Sequence, residues 1–223
     1  LGFTLMHEHI LIASWSMRQA FHDWVDRDTL DEEAVREVRA AKQNGVQTIV
    51  DATPVNLGRD IHLIREVAER AEMQIIAATG LYCFEEPWIM GREVDRLVEF
   101  LIRDIESGIQ GTGSKAGIIK AATGNLGLTA INRKSLQVAA RLHLATGIPI
   151  TTHTSAAHQS GLAQQDVFEE EGVDLGHVVI GHCGDTDDIA YLEAILQRGS
   201  LIGMDRFGIE MILSTEKRIN TIV

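Results

Sequence analysis

The run TLMHEHIL near the start of the sequence carries two histidines, His7 and His9, on either side of Glu8. Because successive side chains on a strand point to opposite faces, the two imidazoles would share one face while Glu8 points away. Two imidazoles placed in this way can bind one divalent metal ion. Hydrogen-bonded core histidines follow the same pattern, so the pair by itself leaves both interpretations open.

Three more residues with metal-site chemistry lie near the ends of other apolar runs: Lys120 in AGIIKAATG, His153 in IPITTHTS and His182 in HVVIGHCGD. Each alone is compatible with an ordinary core residue, although a lysine among apolar neighbours is costly as a cation. If the runs are parallel strands, their carboxyl ends lie at one edge of the sheet. That edge is where barrel enzymes place their active sites, so the combination favours a metal site over chance.

The elements that would position these residues are seven short apolar runs, at 3–9, 47–53, 74–80, 116–122, 148–154, 177–183 and 200–205. The segments between them show helical spacing of apolar residues, with Asp or Asn near several starts and Gly just past the ends. The strands are nearly continuously apolar, which is typical of parallel strands buried on both faces.

This alternation predicts an α/β fold, a (β/α)8 TIM barrel. A doubly wound open sheet is the alternative, but HEHILIAS is not the glycine-rich fingerprint that usually follows its first strand. A closed barrel needs an eighth strand, whereas the seventh run is followed by STEKRINTIV, which resembles the start of a helix. We therefore expect one barrel domain over 1–223, truncated after strand seven and lacking the C-terminal strand and helix.

Composition limits the class of partner. The formal net charge of -12 argues against nucleic acid, because phosphate binding depends on basic patches. The longest apolar runs are shorter than the roughly 20 residues of a membrane span. Two cysteines, Cys83 and Cys183, provide no disulfide framework, so we expect a cytoplasmic protein.

Five motifs together resemble the phosphotriesterase family of the amidohydrolase superfamily: TLMHEHI, IIKAATG, TTHTSAA, GHCGDTDD and IGMDRFG. The resemblance covers essentially the whole chain, with the motifs on successive strands in the family's order. The tyrosine of TGLY and the arginine of MDRFG are more similar to the phosphotriesterase-like lactonases than to dedicated organophosphate hydrolases.

The resemblance implies a centre of two divalent metal ions. His7 and His9 would bind the more buried ion, His153 and His182 the more exposed one, and a carbamate formed on Lys120 would bridge them. Zinc is the first expectation, while cobalt, manganese and iron also suit such ligands. In the family, a hydroxide bridging the ions attacks the lactone carbonyl or the triester phosphorus.

The resemblance also implies catalytic roles. Tyr82 would seat the lactone ring, and its alternative is a tyrosine at the barrel rim with a satisfied hydroxyl. Asp185 would take part in proton transfer, with Arg206 orienting Asp185 or the substrate, and Asp205 would lie behind the metal ligands. An ordinary salt bridge between Asp205 and Arg206 is the alternative for that pair. The family's metal-binding aspartate at the end of strand eight has no counterpart before Val223.

We therefore expect a lactonase that opens N-acyl homoserine lactones or related lactones, with weaker hydrolysis of organophosphate triesters. The first alternative is a dedicated phosphotriesterase, an aryldialkylphosphatase, which the arginine at position 206 makes less favourable. The second alternative is a non-catalytic homologue that acts as an interaction protein. The expected partner is a small lactone or organophosphate, and a homodimer is usual for the family.

Overall fold

The computed structural model describes all residues from 1 to 223. Seven strands alternate with helices in chain order. The strands are β1 (Thr4–Glu8), β2 (Thr48–Asp51), β3 (Gln74–Gly80), β4 (Ile118–Ala122), β5 (Ile150–His153), β6 (Val178–Ile180) and β7 (Leu201–Ile202). Each lies inside one of the seven predicted runs, so the predicted strands are confirmed.

Nine α-helices connect or follow the strands. They are α1 (Trp15–Ala20), α2 (Arg27–Gln43), α3 (Ile61–Ala71), α4 (Pro87–Met90), α5 (Val94–Glu106), α6 (Ala130–Thr146), α7 (Ser160–Glu170), α8 (Ile189–Gln197) and α9 (Thr215–Ile222). None of the nine is long and apolar enough to cross a membrane.

The chain divides into two compact units. The first comprises Leu1–Thr79 and Arg103–Ile118, and the second comprises Gly80–Ile102 and Ile119–Val223. The expectation of a single barrel domain over 1–223 stays a prediction.

In the first unit, β1 pairs with β2 and β2 with β3, in parallel. The pairing of β1 with β2 is irregular between Leu5 and Glu8. The core of this unit joins α2 and α3 to the strands through buried apolar side chains: Val35, Val38, Val46, Ile49, Leu63, Val67, Ala71 and Met73. The helical spacing of Val35 and Val38 places both on the face of α2 that the core covers.

Asp60 sets the start of α3. Its Oδ1 accepts hydrogen bonds from the backbone N–H groups of His62 and Leu63, which are unpaired at a helix start unless a cap residue accepts them. Its Oδ2 pairs with Arg18 at 2.6 Å and with Arg27 at 2.9 Å. One buried carboxylate therefore caps α3 and ties two preceding segments to it.

In the second unit, β4, β5, β6 and β7 pair in parallel in chain order. The helix α6 begins at a Thr129 cap and ends at Gly147, whose positive φ of 73° terminates it. The last helix, α9, begins at a Ser214 cap, and its single buried residue is Arg218. The run STEKRINTIV is thus helical, as predicted.

Candidate active site

The predicted site residues of the first unit are at the carboxyl end of β1. His7 is the fourth residue of β1, and His9 is the first residue after the end of that strand. Their imidazole rings lie with centroids 5.7 Å apart and planes inclined by 67°. Both side chains are half-buried and Glu8 is exposed, so the structure brings the two rings together without Glu8.

Residues after β2 hold His9 in place. Its Nδ1 is 2.8 Å from the Thr53 hydroxyl, and in the tautomer that donates this bond the lone pair is on Nε2. Asp51 accepts from the Thr53 backbone N–H at 2.9 Å and from the Ile10 N–H at 3.0 Å. Asp51 therefore fixes the segments on both sides of the His9 contact, an arrangement typical of the outer partners of metal-binding histidines.

The register of the second unit places Lys120 and His153 on one face. Lys120 pairs with Thr151, and Ala122 pairs with His153. Because side chains of paired residues in a parallel sheet lie on the same side and the period is two, Lys120 and His153 project together. Lys120 is only 1% exposed, in agreement with its apolar neighbours in the sequence.

Simple alternation does not explain His182. Thr151 pairs with Val179, so a strand continued to 183 would turn His182 away from Lys120 and His153. The strand instead ends at Ile180, and His182 adopts a left-handed backbone with φ 59° and ψ 23°. Its ring meets that of His153, with centroids 4.6 Å apart and planes inclined by 83°. The predicted strand end at 183 was thus wrong, because this residue turns the chain.

Asp205, which follows β7, holds His182 at two points. Its Oδ2 accepts from the His182 backbone N–H at 3.1 Å, and its Oδ1 lies 2.8 Å from the ring Nδ1. Burial lowers the pKa of His182, and the positive charges of Arg206 and Lys120 act in the same direction, while Asp205 opposes them. The imidazole is therefore neutral at physiological pH, which is the form that binds metals.

Replacing Asp205 by asparagine tests this support. The asparagine side chain is uncharged and has only one accepting oxygen, whereas the two oxygens of Asp205 accept separately from the backbone N–H and the Nδ1–H of His182. We expect metal affinity to fall by about 10- to 100-fold, as is usual when an outer partner of a metal-binding histidine is lost. Competition with a chromogenic chelator would measure the affinity, and the exposed Asp187→Asn serves as the control. Unchanged affinity in Asp205→Asn would contradict this role.

Asp185 and Arg206 form an ion pair. Arg206 Nη1 lies 2.6 Å from Asp185 Oδ2, and the arginine side chain is 27% exposed. Asp205 pairs with His182 and Arg206 with Asp185, and the orienting role of Arg206 stays a prediction. The backbone of Arg206, which follows β7, is left-handed, with φ 63°.

Tyr82 lies beside His153. Its hydroxyl is 3.4 and 3.5 Å from the two ring nitrogens, and the ring centroids are 5.1 Å apart. Burial raises the pKa of Tyr82 to about 12. The phenol is therefore neutral at physiological pH and can donate a hydrogen bond to a carbonyl or phosphoryl oxygen.

Cys183, next to His182, is fully buried. Burial raises its pKa to about 12, and the charges of Asp205 and Asp185 act in the same direction. Since only about one thiol in 10,000 would be ionised four units below the pKa, we expect Cys183 to resist iodoacetamide at pH 8. Mass spectrometry of the native protein should show no alkylation at Cys183, with both thiols modified after denaturation. Rapid native modification of Cys183 would contradict its burial.

Arg218 was missed in the sequence. It is fully buried and donates to Asp185 Oδ1 at 3.3 Å and to the Gly184 carbonyl at 2.8 Å. The sequence around Arg218 shows only a helical pattern among charged residues. That pattern does not predict the burial of Arg218, which depends on the loop that precedes α9.

The donor sets in the two units suit divalent metal ions. Each contains a pair of adjacent imidazoles, and one member of each pair has its Nδ1 hydrogen-bonded by an outer partner, Thr53 or Asp205. The Asp205 carboxylate can only accept, so it selects the His182 tautomer whose lone pair is on Nε2. The Thr53 hydroxyl does the same for His9 when it accepts this hydrogen bond. His7 and His9 could hold one ion, while His153 and His182 could hold another.

The model of the phosphotriesterase family matches residues 1–223. The chain belongs to the phosphotriesterase family. A solved structure of the phosphotriesterase from Mycobacterium tuberculosis is 44% identical, covers all of this chain and 72% of its own, and superposes with a TM-score of 0.93. That neighbour is a TIM barrel, so the predicted fold class is confirmed.

Two other relatives of this phosphotriesterase family member bear functional names. An aryldialkylphosphatase of Saccharolobus solfataricus is 41% identical over 223 residues, which cover 99% of this chain and 71% of the relative. A phospho-furanose lactonase of Mycoplasmopsis agalactiae is 28% identical over 214 residues, 88% of this chain and 60% of the relative. This member of the family is thus an ester-hydrolysing enzyme.

Proposed function

We propose that the chain is a binuclear metal-dependent hydrolase that opens lactones, N-acyl homoserine lactones or related compounds, and hydrolyses organophosphate triesters more weakly. The family supports the reaction class. The observation that carries the lactone preference is the Tyr82 hydroxyl beside His153, in a chain whose position 206 is an arginine paired with Asp185.

The proposed ligands are His7 and His9 for one ion and His153 and His182 for the other, and Lys120 would supply a further ligand as a carbamate. Zinc is the proposed metal, with cobalt, manganese or iron able to replace it. When bound, the ions would acidify water to give the nucleophile and polarise the oxygen of the scissile bond. The burial of Lys120 and its position on the His153 face support this role.

The remaining residues act on substrate and protons. Tyr82 donates a hydrogen bond from its neutral hydroxyl to the lactone and seats the ring. Asp185 accepts a proton at its carboxylate and returns it to the leaving oxygen, as in general acid–base catalysis. Arg206 cannot act as a neutral base, so it holds the Asp185 carboxylate in the orientation for this transfer.

A dedicated aryldialkylphosphatase is the second candidate. The relative of that name at 41% identity favours it. The lactonase relative and the Tyr82–His153 contact favour lactones instead.

We also propose that the protein is a homodimer, on the basis of the family resemblance. We propose a cytoplasmic location because the two cysteines provide no disulfide framework.

The test compares kcat/KM for an N-acyl homoserine lactone with that for paraoxon, using protein whose metal content has been measured. We expect the lactone to be preferred and two ions to be bound per chain. A triester preference of several orders of magnitude would establish the phosphotriesterase candidate. Less than one ion per chain, with neither substrate turned over, would contradict the proposed function. Light scattering of the same sample tests the homodimer.

A further inference from the structure

Arg218 is a fully buried arginine in a helix that the proposed mechanism does not use. Burying a guanidinium costs several kcal/mol unless it is paired and its N–H groups have acceptors. Asp185, whose side chain is 8% exposed, supplies the opposite charge. The pairing of a buried cation with a proposed catalytic carboxylate requires an explanation beyond helix packing.

The guanidinium donates in several directions at once. Nε donates to the Gly184 carbonyl at 2.8 Å, and Nη2 donates to Asp185 Oδ1 at 3.3 Å. The Nη1 and Nη2 groups also reach the carbonyls of Ile209 and Leu213. Arginine alone offers five N–H donors in a planar fork, so lysine could not satisfy this set.

The two oxygens of Asp185 are held by different arginines. Arg206 binds Oδ2 from a half-exposed position, and Arg218 binds Oδ1 from inside the protein. Because Arg218 also binds the carbonyl of Gly184, it fixes both the backbone before Asp185 and the carboxylate itself. Rotation of the Asp185 carboxylate would break its contact with Arg206 or its contact with Arg218.

The same arginine ties down the segment between β7 and α9. The side chains of Ile209, Met211 and Ile212 are exposed there, whereas the carbonyl groups of Ile209 and Leu213 face Arg218. Arg218 thus links the loop after Arg206 to the turn that carries Asp185.

We propose that Arg218 is a positioning residue that sets the orientation of the Asp185 carboxylate and thereby the rate of hydrolysis. This inference rests on the proposed function, in which Asp185 transfers a proton. It differs from a purely structural role, in which Arg218 would contribute to folding alone.

A double-mutant cycle separates the two roles. We would measure kcat, KM and Tm for Arg218→Met, Asp185→Asn and the double variant, with the lactone as substrate. Arg218→Met should lower kcat by about 10- to 100-fold with little change in KM, in the range seen when an outer partner of a site is lost. In the Asp185→Asn background the same change should lower kcat by less than about twofold, because coupled effects are not additive.

Arg198→Met is the matched control, since Arg198 also donates to a backbone carbonyl, that of Leu162, and pairs with two carboxylates outside the site. Its kcat should be unchanged. If Arg218→Met does not fold, Arg218→Lys keeps the charge and should show a smaller loss of kcat with the same dependence on Asp185.

Three results would overturn the inference. The first is a loss of Tm with kcat unchanged, and the second is an equal loss of kcat whether or not Asp185 is present. Both leave the proposed function standing. The third is a metal-loaded wild type that hydrolyses neither lactone nor triester, which refutes the proposed function and the positioning role together.

Discussion

Replacing Lys120 by methionine is expected to lower kcat/KM for the preferred ester by about three orders of magnitude, equal to about 4 kcal/mol of transition-state stabilisation. Lys120 is 1% exposed and shares a sheet face with His153. Methionine fills a similar volume but offers no amine to carbon dioxide, so the proposed carbamate cannot form. The apolar replacement should be tolerated by the buried position, and the fold should persist.

The measurement combines steady-state kinetics with metal analysis of the same preparation. We expect Lys120→Met to lose metal as well as activity, with a circular dichroism spectrum like that of the wild type. Lys134→Met is the control, because Lys134 also belongs to the second unit but donates to the carbonyls of Met90 and Arg92. Full activity and two ions in Lys120→Met would show that the carbamate is not part of the site.

The strands were predictable because each is a nearly continuous apolar run that can be seen directly in the sequence. That Lys120 and His153 share a face follows from the alternation of side chains along a strand, given the observed register. His182 does not, because its ring direction depends on a left-handed backbone and on hydrogen bonds to Asp205, which lies 23 residues later. Its place at the end of an apolar run and the family motif GHCGDTDD identified it as a candidate ligand, but neither gave the direction of its ring.

The outer partners of the site were the hardest to predict. Thr53 and Asp51 reach the residues after β1 across a strand pair, and no local pattern in either segment indicates these contacts. Arg218 is a charged residue in an amphipathic helix, where exposure is the usual expectation. Its burial depends on four acceptors in two segments, 184–185 and 209–213, which come together only when the chain folds.

Replacing Gly80 by alanine is expected to destabilise the protein by about 2–5 kcal/mol, from an unfavourable backbone conformation and from overpacking. Gly80 has φ +107°, and a Cβ there would lie 2.0 Å from the carbonyl oxygen of Lys120. The next residue, Leu81, donates its N–H to that same carbonyl at 3.0 Å. Relief of the clash must therefore displace the backbone of Lys120 or the segment that leads to Tyr82.

Gly172→Ala separates the two causes. Gly172 has a similar φ of +87°, but nothing lies within 4 Å of the Cβ position. That variant should lose only about 1–2 kcal/mol, the conformational part. The free energy of unfolding in urea measures both, and lactone kinetics should show a further loss of kcat in Gly80→Ala alone, because Lys120 and Tyr82 are shifted. Equal losses of unfolding free energy in the two variants would contradict the overpacking at Gly80, because the contact of the new Cβ with the Lys120 carbonyl would then add no cost.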